Sequence, residues 1–325
     1  MRSIRRILVA VKDPSAKNLP AVDRAAELAR AFGARLEIFH GITERVTAEP
    51  SRSREGPTRG AQHAIRARYH EALDRLARHL SGSGLEVRVS AEFDFPAHEA
   101  IVRRARRVKA DLIVAECHAA RRFAPARFHV TDWELLRTSP VPVLLVKSAK
   151  PYERPVVLAA LDPSHVFSKP AKLDNVILNA AERFSRKLDG TLHALHAYSP
   201  APIALEPVPC AAAFSTPPTL RELACNAAQN LVRALQGRVP AACQHLVADV
   251  AAQAIPSTAS TIGAALVVMG DVSRSGLQRL LIGNTAERVL ADLPCDVLVV
   301  KPRRFVTRVE RAPRGARLVV RTHVL

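Results

Sequence analysis

Aromatic residues are scarce in this 325-residue chain, which holds 1 Trp, 3 Tyr and 10 Phe. Few rings are therefore available to stack on the bases of single-stranded nucleic acid. The 5 cysteines are widely spaced, without a C-x-x-C pair or a histidine at zinc-finger spacing, which predicts reduced structural thiols and no metal site. No apolar run approaches the roughly 20 residues of a membrane-spanning helix. We therefore expect a cytoplasmic protein without a membrane contact.

Negative charge is outweighed by positive charge, with 30 Asp and Glu against 48 Lys and Arg and a net charge of +18. Such a field attracts polyanions at low salt, so a basic nucleic-acid-binding protein is one hypothesis. We interpret four arginines of a predicted helix, Ala97–Val108, as a solvated face: Arg103, Arg104, Arg106 and Arg107. Residues 304–325 predict a flexible basic tail, although Arg317–Arg321 could pair as an edge strand.

An internal repeat organises the chain. Thr131 to Lys147 aligns with Thr285 to Lys301, an offset of 154 residues at both ends, and Phe39-His40 aligns with Leu195-His196 at a slightly different offset. The boundary between the copies falls near Pro151, which breaks a helix. We predict one domain at 1–150, a second at 151–303 and the tail at 304–325.

Each copy alternates apolar runs of strand length with amphipathic helical patterns, for example the stripe of Ile177, Ala181, Phe184 and Leu188. Five strands alternating with four helices predict an α/β fold with two tandem, doubly wound, Rossmann-like parallel sheets. In such sheets the ligand site lies at the carboxyl ends of the strands, where the strand order reverses. The segments 45–60 and 200–219 are predicted to be loops beside that crevice.

A loop with several glycines follows the predicted strand Leu266–Met269 in the second copy. Gly270 would let the backbone approach a phosphate, and Arg274 or Arg279 could neutralise its charge. Three further residues present backbone amides and a hydroxyl at a helix N-terminus, where the helix dipole favours an anion: Gly283, Asn284 and Thr285. Alternatively, the glycines only satisfy the geometry of turns.

This loop, together with Thr131–Arg137, resembles the universal stress protein family, and most of all its tandem-domain E type. Nucleotide-binding members carry G-x2-G-x9-G-[ST] here, and two of the four matching positions depart from that pattern: Gly270, Ser273, Gly283 and Asn284. The resemblance implies a non-enzymatic protein that supports survival under starvation, oxidative stress or DNA damage. It implies ATP as a ligand of the second domain only.

The resemblance also assigns roles to Asp162, whose carboxylate would meet a ribose hydroxyl, and to the turn at His196-Ala197, whose backbone would contact adenine. Alternatively, Asp162 only caps its turn. The first copy lacks the loop chemistry, because other residues stand at the matching positions: Glu116, Ala119, His129 and Val130. A carboxylate repels phosphate, so the first copy is predicted to be structural or to bind another small molecule.

Two other readings stay open besides a binding protein. One is the nucleic-acid-binding protein named above, and the other is a nucleotide hydrolase or transferase, for which only Asp162 and Asp271 are candidate acidic groups. No catalytic set is recognisable, and the odd spacing of His193 and His196 predicts opposite faces of a strand rather than one metal site. The resemblance suggests an internal pseudo-dimer that pairs the last strands of the copies, Val141–Lys147 and Asp296–Lys301.

Overall fold

The computed structural model describes residues 3–48, 56–82, 84–117, 130–164, 173–198, 219–270, 289–302 and 305–320. These residues form two compact units, with the boundary between Pro151 and Tyr152. The first domain comprises the residues up to Pro151 together with 305–320, and the second comprises Tyr152–Pro302. No helix in the described ranges is long and apolar enough to cross a membrane.

The first domain is a parallel sheet in the order β4-β2-β1-β5-β6, with its helices in the connections. Its elements are β1 (Arg6–Ala10), α1 (Pro20–Phe32), β2 (Arg35–Ile42), β3 (Arg45–Ala48), α2 (Gly56–Ser81), β4 (Val87–Phe93), α3 (Ala97–Val108), β5 (Leu112–Glu116), α4 (Val130–Thr138) and β6 (Val143–Val146). The central strands are buried on both faces, which explains their continuous apolar sequences.

The second domain repeats this order as β9-β8-β7-β10-β11, again with parallel neighbours. Its elements are β7 (Val156–Leu161), α5 (Leu173–Lys187), β8 (Thr191–Tyr198), α6 (Leu220–Leu235), β9 (Gln244–Ala248), α7 (Ala251–Thr261), β10 (Leu266–Gly270) and β11 (Asp296–Val300). The predicted fold class, two tandem doubly wound parallel sheets, is confirmed.

The helices begin, end and pack as local sequence dictates. Helix α1 starts with Pro20 in its first turn, where a missing N–H costs nothing, and Gly33 ends it in the left-handed conformation at φ 62°. Ala181 and Phe184 of α5 are fully buried against the sheet, which confirms most of the predicted stripe, although Leu188 is half-buried.

The C-terminal segment differs from the predicted flexible tail. Its residues Arg317–Val320 form strand β12, which pairs in parallel with β3 of the first domain, and Val309 is buried. The segment 45–60, predicted as a loop, contains β3 and the start of α2. The amino-acid composition of this segment predicted disorder, because composition carries no information about a pairing strand that lies far away in the sequence. Of the other predicted loop, 200–219, residues 200–218 lie outside the described ranges.

The arginines of α3 do not form a solvated face, contrary to the prediction, although the Arg107 side chain is 45% exposed. Arg103 is 3% exposed, and its Nη1 donates to both carboxylate oxygens of Asp94 at 2.8 Å. The remaining three bind either carboxylates of β2 and β4 or a carbonyl of the C-terminal segment: Arg104 with Glu37 and Glu92, Arg107 with Glu92, and Arg106 with Val309. Charge spacing along α3 cannot reveal these partners. Because the four guanidinium groups already bind these partners, they leave few free hydrogen-bond donors for the phosphates of a nucleic acid.

Candidate functional site

The predicted crevice of the second domain lies at the carboxyl edge of its sheet. Strand β7 is flanked by β8 and β10, and the strand order reverses between β7 and β10, where ligands bind in such sheets. Leu161 at the end of β7 pairs with His196 of β8, and Gly270 ends β10. The structure thus brings the predicted residues Asp162, Ala197 and Gly270 to one edge.

The turn that contains Asp162 is hydrogen-bonded to helix α5. The backbone N–H of Asp162 donates to Asp174 Oδ1 at 3.1 Å, and Asp174 belongs to the first turn of α5. The backbone is therefore held from the helix side, and the Asp162 side chain stays half-buried at the crevice.

The His196 side chain contacts both ends of this turn, at Leu161 and at Ser164. The ring is 1% exposed, its Nε2 lies 2.9 Å from Ser164 Oγ, and its Nδ1 lies 3.4 Å from the Leu161 carbonyl oxygen. A carbonyl can only accept a hydrogen bond, so Nδ1 carries a proton, and the partner of Nε2 is the serine hydroxyl. The sequence reasoning assigned no such role to His196. The alignment of His40 with His196 in the internal repeat was the signal that could have revealed it.

Gly270 packs closely against α5. A Cβ at this position would lie 2.7 Å from Leu173 Cδ2 and 3.1 Å from Ile177 Cδ1, so a side chain here would fit only if these two side chains at the start of the helix shifted. Close approach of a helix to a strand is a common reason for glycine in such folds. Approach of a phosphate to this backbone stays a prediction.

The remaining predicted residues of the glycine loop lie outside the described ranges. They are Ser273, Arg274, Gly283, Asn284 and Thr285, with the alternative candidates Asp271 and Arg279. Helical residues resume at Val289, which is buried together with Leu290. The phosphate-binding part of the predicted site therefore remains a sequence-based expectation.

A histidine pair lies on the neighbouring strands β8 and β9. His193 Nδ1 is 2.9 Å from His245 Nε2, and the two rings are nearly parallel with centroids 5.2 Å apart. One nitrogen must donate and the other accept, so the hydrogen bond between the two rings can form only while at least one ring is neutral. Burial lowers the pKa of both rings, and the charge of His245 lowers the pKa of His193 further.

This pair predicts that the second domain loses stability on acidification. Both pKa values are lowered by folding, so the unfolded chain binds more protons, and stability present above pH 6.5 declines as the pH falls through the folded pKa values. We expect the thermal midpoint of wild type to drop more between pH 8 and pH 5.5 than that of His245→Gln. Equal drops, measured by circular dichroism, would contradict this.

The equivalent crevice of the first domain is built differently. His40 Nδ1 donates to the Val11 carbonyl oxygen at 2.9 Å, as His196 approaches Leu161, but Lys12 follows Val11 where Asp162 follows Leu161. Burial lowers the pKa of His40, which keeps the ring neutral. Glu116 ends β5, at the position of Gly270, whereas Ala119 and His129 lie outside the described residues.

Comparison with known proteins agrees with this architecture. The model of the universal stress protein family matches residues 3–147 and again 156–301. Universal stress protein E of Escherichia coli K12 is 26% identical over 308 residues, covering 93% of this chain and 96% of the relative.

Solved structures show the same tandem arrangement of elements. A functionally unknown protein from Pseudomonas aeruginosa PAO1 is 26% identical, with a TM-score of 0.70 and coverage of 93% of this chain and 94% of that one. A universal stress protein from Archaeoglobus fulgidus, at 16% identity, shares the fold with a TM-score of 0.64 over 93% of this chain and 100% of its own. Because the family model matches nearly the whole chain in two consecutive copies, the chain belongs to the universal stress protein family.

Proposed function

We propose that this tandem universal stress protein supports survival under stress as a binding protein and that its second domain binds ATP. The observation that carries the proposal is the convergence of Asp162, Ala197 and Gly270 at the point where strand order reverses. Membership of the family supports the stress role and the non-enzymatic character.

The chemistry of the convergent residues suits a nucleoside. The carboxylate of Asp162 can accept hydrogen bonds from ribose hydroxyls, and the Asp174 and His196 contacts hold its turn in place before ligand arrives. Ala197 is half-buried, and its small side chain leaves room for a flat ring beside β8. Gly270 leads directly into the loop on which the phosphate prediction rests.

Titration of the full chain with ATP in a calorimeter tests this proposal. A hydrogen bond to a charged group contributes about 1.5–3 kcal/mol, so Asp162→Ala should weaken ATP binding by roughly 10-fold to 150-fold. Asp13→Ala is the matched control, because Asp13 occupies the corresponding turn of the first domain, where its Oδ1 accepts from the Ser15 N–H. It should leave ATP affinity unchanged. Absence of ATP binding to wild type, or equal losses in both variants, would refute the proposal.

A nucleotide hydrolase is the second candidate, because Ser164 Oγ and His196 Nε2 are at the distance of a nucleophile and its general base. The same samples distinguish the two candidates. A binding protein leaves ATP intact over hours, whereas a hydrolase releases ADP at a rate that Ser164→Ala abolishes.

A further inference from the structure

The first domain contains a cavity of about 240 Å³ at the carboxyl edge of its sheet. Its walls are largely apolar and include Val11, Phe39, Ile101 and Leu135. Drug-sized ligands occupy pockets of roughly 300–1,000 Å³, so this cavity suits a smaller molecule than a nucleotide.

Two opposite charges line this cavity without being used elsewhere in the described part of the chain. Neither the ammonium of Lys12 nor the carboxylate of Glu116 forms a hydrogen bond or ion pair with any residue that the structure describes. Ala10 pairs with Ala115 across β1 and β5, so Lys12 and Glu116 lie within two residues of this pair, at the ends of adjacent strands. The cavity therefore offers the cationic group of Lys12 and the anionic group of Glu116 at the same edge, with the buried Asp132 as a further carboxylate in its lining.

A buried acceptor completes the lining. His40 is 7% exposed, and its Nδ1 proton is committed to the Val11 carbonyl oxygen. The neutral ring therefore carries a lone pair on Nε2, and no group in the described ranges occupies it. The ring is held in place by Tyr69, whose ring centroid lies 4.3 Å away and whose hydroxyl donates to Glu44. A fixed acceptor in the same cavity lining as the Glu116 carboxylate is suited to an ammonium group.

We propose that the first domain binds a small zwitterion, an α-amino acid with an aliphatic side chain. Glu116 and His40 Nε2 accept hydrogen bonds from its ammonium group, and Lys12 meets its carboxylate. The apolar walls receive the aliphatic side chain. Glu116 at the same time repels phosphate, so the two domains of one chain take chemically different ligands.

Calorimetry of the full chain with three matched probes tests this site. L-Leucine carries both charges, 3-methylbutylamine lacks the carboxylate, and 4-methylpentanoate lacks the ammonium group. We expect leucine to bind at least tenfold more tightly than either probe, since each missing group leaves a charged partner unpaired. Saturation of the second domain with ATP should not alter leucine affinity, which separates this result from the fate of the nucleotide proposal.

Two variants test which residue binds the ammonium group of leucine and which binds its carboxylate. Glu116→Gln should weaken leucine binding at least tenfold and leave 4-methylpentanoate binding unchanged, whereas Lys12→Met should weaken leucine and leave 3-methylbutylamine unchanged. Asp162→Ala, in the second domain, is the control that should not affect leucine. Lys12 is exposed, so its replacement does not endanger folding. The proposal is overturned if leucine gives no binding heat with wild type, or if both variants bind leucine as tightly as wild type does.

Discussion

Asp94→Ala is expected to destabilise the first domain by about 3 kcal/mol, near the lower end of the cost of breaking a buried ion pair, because Arg103 keeps Glu99 as a second carboxylate partner. Asp94 is 3% exposed, and both its oxygens accept from Arg103, which is itself buried. Oδ1 also accepts from the backbone N–H groups of Phe95 and Arg314, each at 2.9 Å. Removal of the carboxylate leaves the Arg103 guanidinium with Glu99 as its remaining carboxylate.

Urea unfolding followed by circular dichroism measures this effect. Asp74→Ala is the matched control, because Asp74 lies 3.0 Å from His70 on α2 with both side chains about half exposed. Exposed pairs contribute roughly 0–1 kcal/mol, so the control should unfold nearly as wild type does. An Asp94→Ala variant within 1 kcal/mol of wild type would show that the buried pair is not needed for stability.

A chain that ends at Pro302 is expected to lose about 2–4 kcal/mol of stability in its first domain. Truncation removes the pairing of β12 with β3, the bond from Arg314 Nη2 to Glu99 Oε1 at 3.2 Å, and three further hydrogen bonds: Arg103 Nε to the Glu310 oxygen at 3.1 Å, Arg106 to the Val309 oxygen at 2.7 Å, and Arg314 N–H to Asp94 at 2.9 Å. Bonds to charged groups contribute about 1.5–3 kcal/mol each. Ordering residues 305–320 costs conformational entropy, so only part of that sum is seen.

Hydrogen exchange locates the effect, since the amides of β3 should lose protection while those of β10 and β11 keep theirs. A chain that ends at Val320 is the control, because it retains β12 and all of these bonds. Identical exchange in β3 of both truncated chains would contradict the prediction.

The parts of the fold that depend on local sequence could be predicted. Helix α3 has the predicted bounds, Ala97–Val108, because apolar periodicity along a short segment sets them. The partners of α3 could not be predicted, since Asp94, Glu92 and Glu37 reach the helix only when the sheet forms. The alternative of an edge strand at Arg317–Arg321 was correct for β12, but its pairing with β3 could not be predicted for the same reason.

The candidate site also has features that could be predicted from the sequence and long-range contacts that could not. The rule for doubly wound sheets placed Asp162 and Gly270 at one edge, the family resemblance added Ala197, and the structure brings the three together there. The packing role of Gly270 depends on Leu173 and Ile177, which no local pattern connects to it. His245 likewise became visible as the partner of His193 only through strand pairing.

The pairing of β12 with β3 also sets an order of assembly during translation. Arg45 and Arg317, which pair at the start of the two strands, are 272 positions apart. At roughly 5–20 residues per second, about 15–55 s separate their synthesis. From the synthesis of Pro151 until β12 is made, β3 has an unpaired edge and Asp94 lacks the Arg314 N–H, although the rest of the first domain is already present. The domain that the ribosome begins first is therefore completed last, and a chaperone that recognises open strand edges would find its substrate in the nascent chain.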